Sequence, residues 1–219
     1  MVVRENFDEQ LDDLKSQLVH LGKLANTAVE RSIRALNNQD IELALQIIDD
    51  DYKINVLEEE INETATWLIA KEQPLATDLR KLITTLKITT DIERIGDLAV
   101  NIAKSVIRIG EKQLMIPVDR IPEMVDITQQ MIEKSLLAYY EEDIHKAKEV
   151  ADTDDHVDQM YGSLIKELLE YMTQNPQHIS QVTQLAFICR YLERIADHTT
   201  NISEGIIYLV KGKRFDLNQ

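Results

Sequence analysis

Two stretches decide the fold: Glu93-Arg94-Ile95-Gly96-Asp97-Leu98-Ala99-Val100-Asn101-Ile102, and Glu193-Arg194-Ile195-Ala196-Asp197-His198-Thr199-Thr200-Asn201-Ile202. They share the pattern E-R-I-x-D-x-x-x-N-I, and each lies late in a run whose apolar residues recur at helical spacing. In the first run the seam is Ile88, Ile92, Ile95, Ala99, Ile102, Val106 and Ile109; in the second it is Leu192, Ile195, Thr199, Ile202, Ile206 and Leu209. Working outward, the duplication continues. Glu30-Arg31-Ser32-Ile33 matches Glu133-Lys134-Ser135-Leu136, Asp40-Ile41 matches Asp143-Ile144, and Asp51 and Ile54 match Asp154 and Val157. Two helical stretches of biased composition share a few residues by chance, but not a patterned motif in the third helix of each half.

The unit so repeated is three helices. Phe7, Leu11, Leu14, Leu18, Leu21, Ala25, Ala28, Ser32 and Ala35 form a sustained heptad seam, which predicts a first helix packed along its whole length. The polar break Asn37-Asn38-Gln39-Asp40 ends it and caps a second, with the seam Ala44, Ile47, Asp51, Ile54, Glu58, Ile61, Ala65 and Leu68. After Gln73-Pro74 a third runs from about Ala76 to Ile109, and Gly110 and Pro117 bracket a linker. A fourth starts near Ile121, a fifth carries Ala147, Val150, Asp154, Val157, Tyr161, Leu164, Leu168 and Tyr171, and Asn175-Pro176 opens a sixth that Lys211-Gly212-Lys213 stops. The expected fold class is all-α: two tandem three-helix bundles, six long helices, related by an internal pseudo-two-fold duplication. The expected boundary puts residues 1–113 in the first repeat and 114–219 in the second. Each repeat is large enough for a core of its own.

Composition agrees with this. The chain has 219 residues with only 6 Gly and 4 Pro, too few turn formers for a many-stranded architecture. Its formal charge is −15, from 24 basic and 39 acidic residues. That argues against a nucleic-acid-binding role and against adhesion to anionic lipid, and suits cations or a basic partner. One cysteine, Cys189, allows neither an intrachain disulfide nor a thiolate metal cage. Met1 to Phe7 turns acidic without an apolar region, and no apolar run is long enough to span a bilayer, so a cytoplasmic protein with no signal peptide is expected.

The chemistry sits on the duplicated motif. Glu93, Asp97 and Asn101 are spaced i, i+4, i+8, as are Glu193, Asp197 and Asn201, which stacks each set on one helix face. A like-charge pair at i, i+4 costs a helix a few tenths of a kcal/mol, and a bridging cation removes that cost. The second helix of each repeat supplies Asp51 and Asn55, or Asp154 and Asp158; the two aspartates fall on the apolar seam, where an unpaired carboxylate is expensive. A set of carboxylate and carboxamide oxygens fits hard ions: magnesium, calcium, manganese or ferric iron. The plainer readings are a solvated acidic face for the ladders, and buried salt bridges from Asp51 and Asp154 to Arg94 and Arg194. Glu58 has Tyr161 as its counterpart and reads as structural. The five histidines do not recur between halves and read as surface residues, and Cys189 as a small buried one. A di-iron oxidoreductase needs two Glu-x-x-His pairs; only Glu142-Asp143-Ile144-His145 fits, at a predicted helix junction. No phosphate loop, nucleophile elbow or catalytic triad is present, so no enzyme activity is expected.

With these residues in place, the chain resembles the PhoU family over essentially its whole length. The resemblance rests on the two E-R-I-x-D-x-x-x-N-I helices and on Asp78-Leu79-Arg80 early in the third helix. It implies regulation of phosphate uptake and negative control of the phosphate-starvation response. The implied contacts are the ATP-binding subunit of the phosphate ABC transporter and a phosphate-sensing histidine kinase. It also implies a homodimer that meets the membrane only through partners. The family pattern places metal clusters, iron among them, on Glu93/Asp97 and Glu193/Asp197 with Asp51/Asn55 and Asp154/Asp158 opposite, and Asn101, Asn201, Arg94 and Arg194 behind them. Asn55 departs from the pattern, which expects Asp there. The alternative reading is a metal-storage bundle with no signalling role.

Overall fold

A computed structural model of the chain describes residues 2–110, 120–215 and 217, and among these every regular element is helical. The order is α1 (Val2–Asn38), α2 (Ile41–Asp50), α3 (Tyr52–Glu72), α4 (Thr77–Ile109), α5 (Ile121–Glu141), α6 (Ile144–Gln174) and α7 (Ile179–Lys211). Pro117, Met1 and the boundary expected between residues 113 and 114 lie outside the described residues.

The repeat is visible in its corners. At the end of α1, Gln39 takes φ 53° and the Asp40 amide donates to the Ala35 carbonyl at 2.9 Å. At the end of α5, Glu142 takes φ 54° and the Asp143 amide donates to the Ala138 carbonyl at 2.9 Å. This six-to-one bond across a left-handed residue is the Schellman stop, made here twice without glycine. The aspartate that follows then caps the next helix: the Asp40 carboxylate accepts from the Leu43 amide, and that of Asp143 from the His145 and Lys146 amides. Glu142-x-x-His145 therefore falls on a corner, with Glu142 paired to Lys15 of α1.

Two details differ from expectation. The second helix is interrupted at Asp51, whose carbonyl accepts from both Ile54 and Asn55, so α2 passes into α3 through one tightened turn. Its counterpart α6 runs through Asp154 unbroken. Asn175-Pro176 opens a single 3-10 turn, Pro176–His178, before α7 starts at Ile179.

The seams face inward as their spacing requires. Leu14, Leu18 and Leu21 of α1, Ile88, Ile92 and Ile95 of α4, and Ile188, Cys189 and Leu192 of α7 are buried. Polar seam residues spend their hydroxyls on their own helices: Ser32 on Val29, Thr89 on Thr85, Thr128 on Met124, Ser135 on Ile132, Thr199 on Ala196. The buried residues of both halves form one continuous cluster, not two separate cores. The most extensive interhelical packing is between α4 and α7, the third helices of the two repeats. Between α4 and α5, Thr85 and Tyr139 share a buried hydrogen bond of 2.9 Å.

The far end of α7 is held by the first repeat. Gly212 ends the helix at φ 68°, and the Arg80 guanidinium donates to the Leu209 carbonyl at 3.3 Å. A Cβ on Gly212 would lie 2.6 Å from Arg80. Gly212→Ala is expected to cost about 1–2 kcal/mol, from the left-handed backbone together with the displaced Arg80. A urea melt measures it, and an unchanged midpoint would refute this reading of the cap.

Candidate metal centres

Each acidic set sits in the groove between the second and third helices of its repeat. Gly96 permits the approach in the first: a Cβ there would lie 2.9 Å from Ile54. Its counterpart Ala196 is fully buried beneath α6.

In the second repeat the expected residues converge. One carboxylate oxygen from each of Asp158, Glu193 and Asp197 lies within 4.8 Å of the others. Asp154 and Glu193 are only 7% and 8% exposed, and Asp154 Oδ1 and Glu193 Oε2 are buried with no hydrogen-bond partner. Orphaned carboxylate oxygens of this kind are costly, and the cost appears in their proton affinity. Burial lifts Asp154 to about 6 against the pull of the neighbouring Thr200 hydroxyl, reinforced by the charges of Asp197, Asp158 and Asp155. Burial and the charge of Asp197 lift Glu193 to about 7 against the pull of Arg190, with Asp158 and Asp154 adding to the rise. Asp197 is also raised, by burial and by Asp158.

The first repeat is built differently. Arg94 lies 3.5 Å from Glu93 and 2.8 Å from Asp97, so a guanidinium of the same helix already stands between the two ladder carboxylates. Asp51 accepts from Asn55 at 3.1 Å through Oδ2, while its Oδ1 is buried and unpartnered. Burial and the charge of Asp97 raise Asp51, and burial and Asp97 likewise raise Glu93. The salt bridge from Asp51 to Arg94, the plainer reading of that aspartate, is not formed, because Arg94 turns along its own helix. Nor does Asp154 pair with Arg194, which is exposed and forms no ion pair among the described residues.

Three residues that the sequence did not single out as site residues take part. Glu58, read as structural, stands near enough to Glu93 to raise its proton affinity. Its carboxylate accepts from Asn62 one turn further along α3. Arg190 pairs with Glu193 and lies 5.7 Å from the Tyr161 ring. Asp91 accepts from Asn201 at 3.3 Å and meets His198 Nδ1 at 2.9 Å. His198 is therefore no bare surface histidine, and Asn201 reaches toward α4. Only Arg190 carried a usable signal in the sequence, three residues before a motif glutamate. The other two depend on which helices become neighbours. Asn101 is half-buried on the same face of α4 as Asp97.

The domain model described as "PhoU domain" matches residues 18–106 and again residues 121–206. This chain belongs to the PhoU family. A homologue from Clostridium acetobutylicum, called a phosphate-specific transport system accessory protein, is 43% identical over 99% of this chain and 100% of its own length. The corresponding homologue from Rhizobium meliloti is 37% identical over 94% of this chain and 87% of its own length. The crystal structure of the phosphate transport system regulatory protein PhoU from Streptococcus pneumoniae superposes with a TM-score of 0.90 at 33% identity, covering 96% of this chain and 99% of that one. That of PhoU from Pseudomonas aeruginosa gives 0.91 at 36%, covering 94% and 100%.

The raised carboxylates make stability depend on pH. Asp154 and Glu193 hold protons in the folded chain that the unfolded chain has released, across the window from about pH 4 to 7. Their contribution is intact below that window and lost as pH rises through it. For chelator-treated protein, Asp154→Asn is expected to raise Tm by several degrees at pH 8 and to leave it nearly unchanged at pH 4. Calorimetry at the two pH values measures this; an equal shift at both would contradict it.

Proposed function

We propose that this chain is a non-enzymatic regulator of phosphate uptake that restrains the phosphate-starvation response. It acts by contact with the ATP-binding subunit of the phosphate ABC transporter and with a phosphate-sensing histidine kinase. The observation that carries this reading is the match of both repeats, over nearly the full length, to relatives named as accessory or regulatory proteins of phosphate transport. The proposal includes a cytoplasmic homodimer that reaches the membrane through its partners; none of the described helices is long and apolar enough to cross a bilayer.

We further propose that a hard cation occupies the second repeat's cluster. Asp158, Glu193 and Asp197 would hold it, with Asp154 beneath them, and iron, manganese, magnesium or calcium suits an all-oxygen set. The orphaned oxygens of Asp154 and Glu193 support this reading, since a cation offers them the partner that the chain does not. In the first repeat, Asp51, Asn55, Glu93 and Asp97 would take a cation less readily, because Arg94 competes for two of the carboxylates.

Co-purification with the ATP-binding subunit and with the kinase under high phosphate tests the regulatory role, and capture of neither would refute it. Plasma mass spectrometry tests the cation. Asp197→Ala together with Asp158→Ala is expected to reduce bound metal at least about tenfold, more than Asp97→Ala does. Wild-type protein that takes up no iron or manganese would refute the cation and leave the regulatory role standing.

A further inference from the structure

α3 lies at an edge of the molecule. It packs on α4 and α1 and touches α2, and its outer arc meets no other described element. Tyr52, Val56, Glu59, Glu63, Trp67 and Ala70 follow one another at spacings of three and four, which puts them all on the arc opposite the buried Ile61. All are exposed, Tyr52 at 61%, Val56 at 48% and Trp67 at 49%. This is a second seam, apolar at both ends and acidic in the middle, on the side of the helix that the fold leaves bare. The fold does not call for it. In the second repeat α6 packs on α7 and α5 in the same way, with Asp155, Gln159 and Glu170 in place of Tyr52, Val56 and Trp67, and Gly162, Ser163 and Lys166 in place of Glu59, Glu60 and Glu63.

The charges along this face decide what it can meet. Glu59, Glu60 and Glu63 are exposed and form no ion pair among the described residues. The two exposed lysines of α3 are already engaged, Lys53 with Asp50 at 2.6 Å and Lys71 with Glu72 at 2.9 Å. Each also lies over a ring of the seam, Lys71 at 4.3 Å from the centre of Trp67 and Lys53 at 5.9 Å from that of Tyr52, so both aromatics are already presented to cations. Three uncompensated carboxylates repel a nucleic acid or an anionic bilayer. A second copy covering the whole seam would set Glu59 and Glu63 against their own equivalents, and like charges face to face are costly. A cationic helix meets neither objection. Tyr and Trp are also the side chains that most strongly anchor protein interfaces.

We propose that the outer face of α3 docks a basic amphipathic helix of a partner protein, with the partner's lysines or arginines on Glu59, Glu60 and Glu63 and its apolar side chains on Tyr52, Val56 and Trp67. From Tyr52 to Ala70 the seam rises about 27 Å at 1.5 Å per residue, so the partner helix needs about 18 residues. In such a helix-on-helix pairing the apolar seams supply affinity, while charge complementarity sets orientation and speeds capture. The surface is the same whichever protein carries the helix, so it stands apart from the phosphate-regulation and cation readings.

Trp67 is the chain's only tryptophan, so it reports on this face directly. The probe is a Trp-free, Lys- and Leu-rich amphipathic peptide of about 20 residues, added to the full chain while Trp67 emission is followed. Two triple variants with the same change in net charge are compared. E59Q/E60Q/E63Q alters the seam, and E123Q/D126N/E170Q alters exposed acids of the second repeat that form no ion pair among the described residues. Circular dichroism checks that both fold. The expected result is a blue shift of Trp67 on binding, with an affinity that weakens with salt, falls about tenfold or more in the seam variant, and stays within about twofold in the other. Absence of binding to the wild type, binding that leaves Trp67 emission unmoved, or equal loss in both variants overturns the proposal. So does an emission that starts blue and moves red as the chain is diluted, which marks a second copy on this face, or a larger shift with phosphatidylglycerol vesicles than with the peptide.

Discussion

The packing of α4 against α7 is the contact on which the rest of the molecule depends. Each is the third helix of its repeat, and each turns its Ile-rich seam toward the centre, so that their burial joins the two bundles into one apolar cluster. Once these seams face inward, helical periodicity fixes everything else on the two helices. The Glu93/Asp97 and Glu193/Asp197 ladders turn toward α3 and α6, and the remaining arc, with its lysines and arginines, is left outside. One hydrophobic constraint thereby places both acidic grooves on the same helix pair.

The two grooves show how a duplicated site diverges. The second keeps four carboxylates, Asp154, Asp158, Glu193 and Asp197, with Arg190 beside Glu193. The first has Asn55 in place of one of these, and its arginine, Arg94, sits between the ladder carboxylates. Both grooves bury an unpartnered oxygen on the seam aspartate, Asp51 or Asp154; they differ at the ladder, where Glu193 keeps a second such oxygen and Asp97 is paired to Arg94. Exposed pairs such as that of Arg94 contribute little to stability, but they occupy geometry that an incoming ion would need.

Much of this was legible in the sequence because helices write their faces at a fixed period. The seams, the helix ends, the duplicated motif and the residues opposite it on the second helix could all be read from spacing. Asp154 was recognisable as an anomaly, a carboxylate on an apolar seam. What could not be read was the direction of long side chains. On the plainer reading Arg94 crosses to Asp51; it runs along its own helix instead, because Asp97 lies one turn away on the same face. Glu58 lacks a counterpart in the second repeat, and its carboxylate accepts from Asn62 of its own helix. The Asp91 pairing with His198 and Asn201 joins residues of different repeats, and no periodicity within one repeat carries that information. Separate cores were expected from the size of each repeat, but α4 is covered on one side by the helices of its own repeat and on the other by α7.

The Arg80 contact to the last turn of α7 adds a topological consequence. The helix that closes the chain is fastened to the start of α4, and the Thr85 to Tyr139 bond fastens the same region to α5. A boundary drawn by gene duplication is therefore not a boundary of autonomy. Either copy released alone would leave an oily flank and a loose helix terminus, so the shared packing ties the folding of one copy to that of the other.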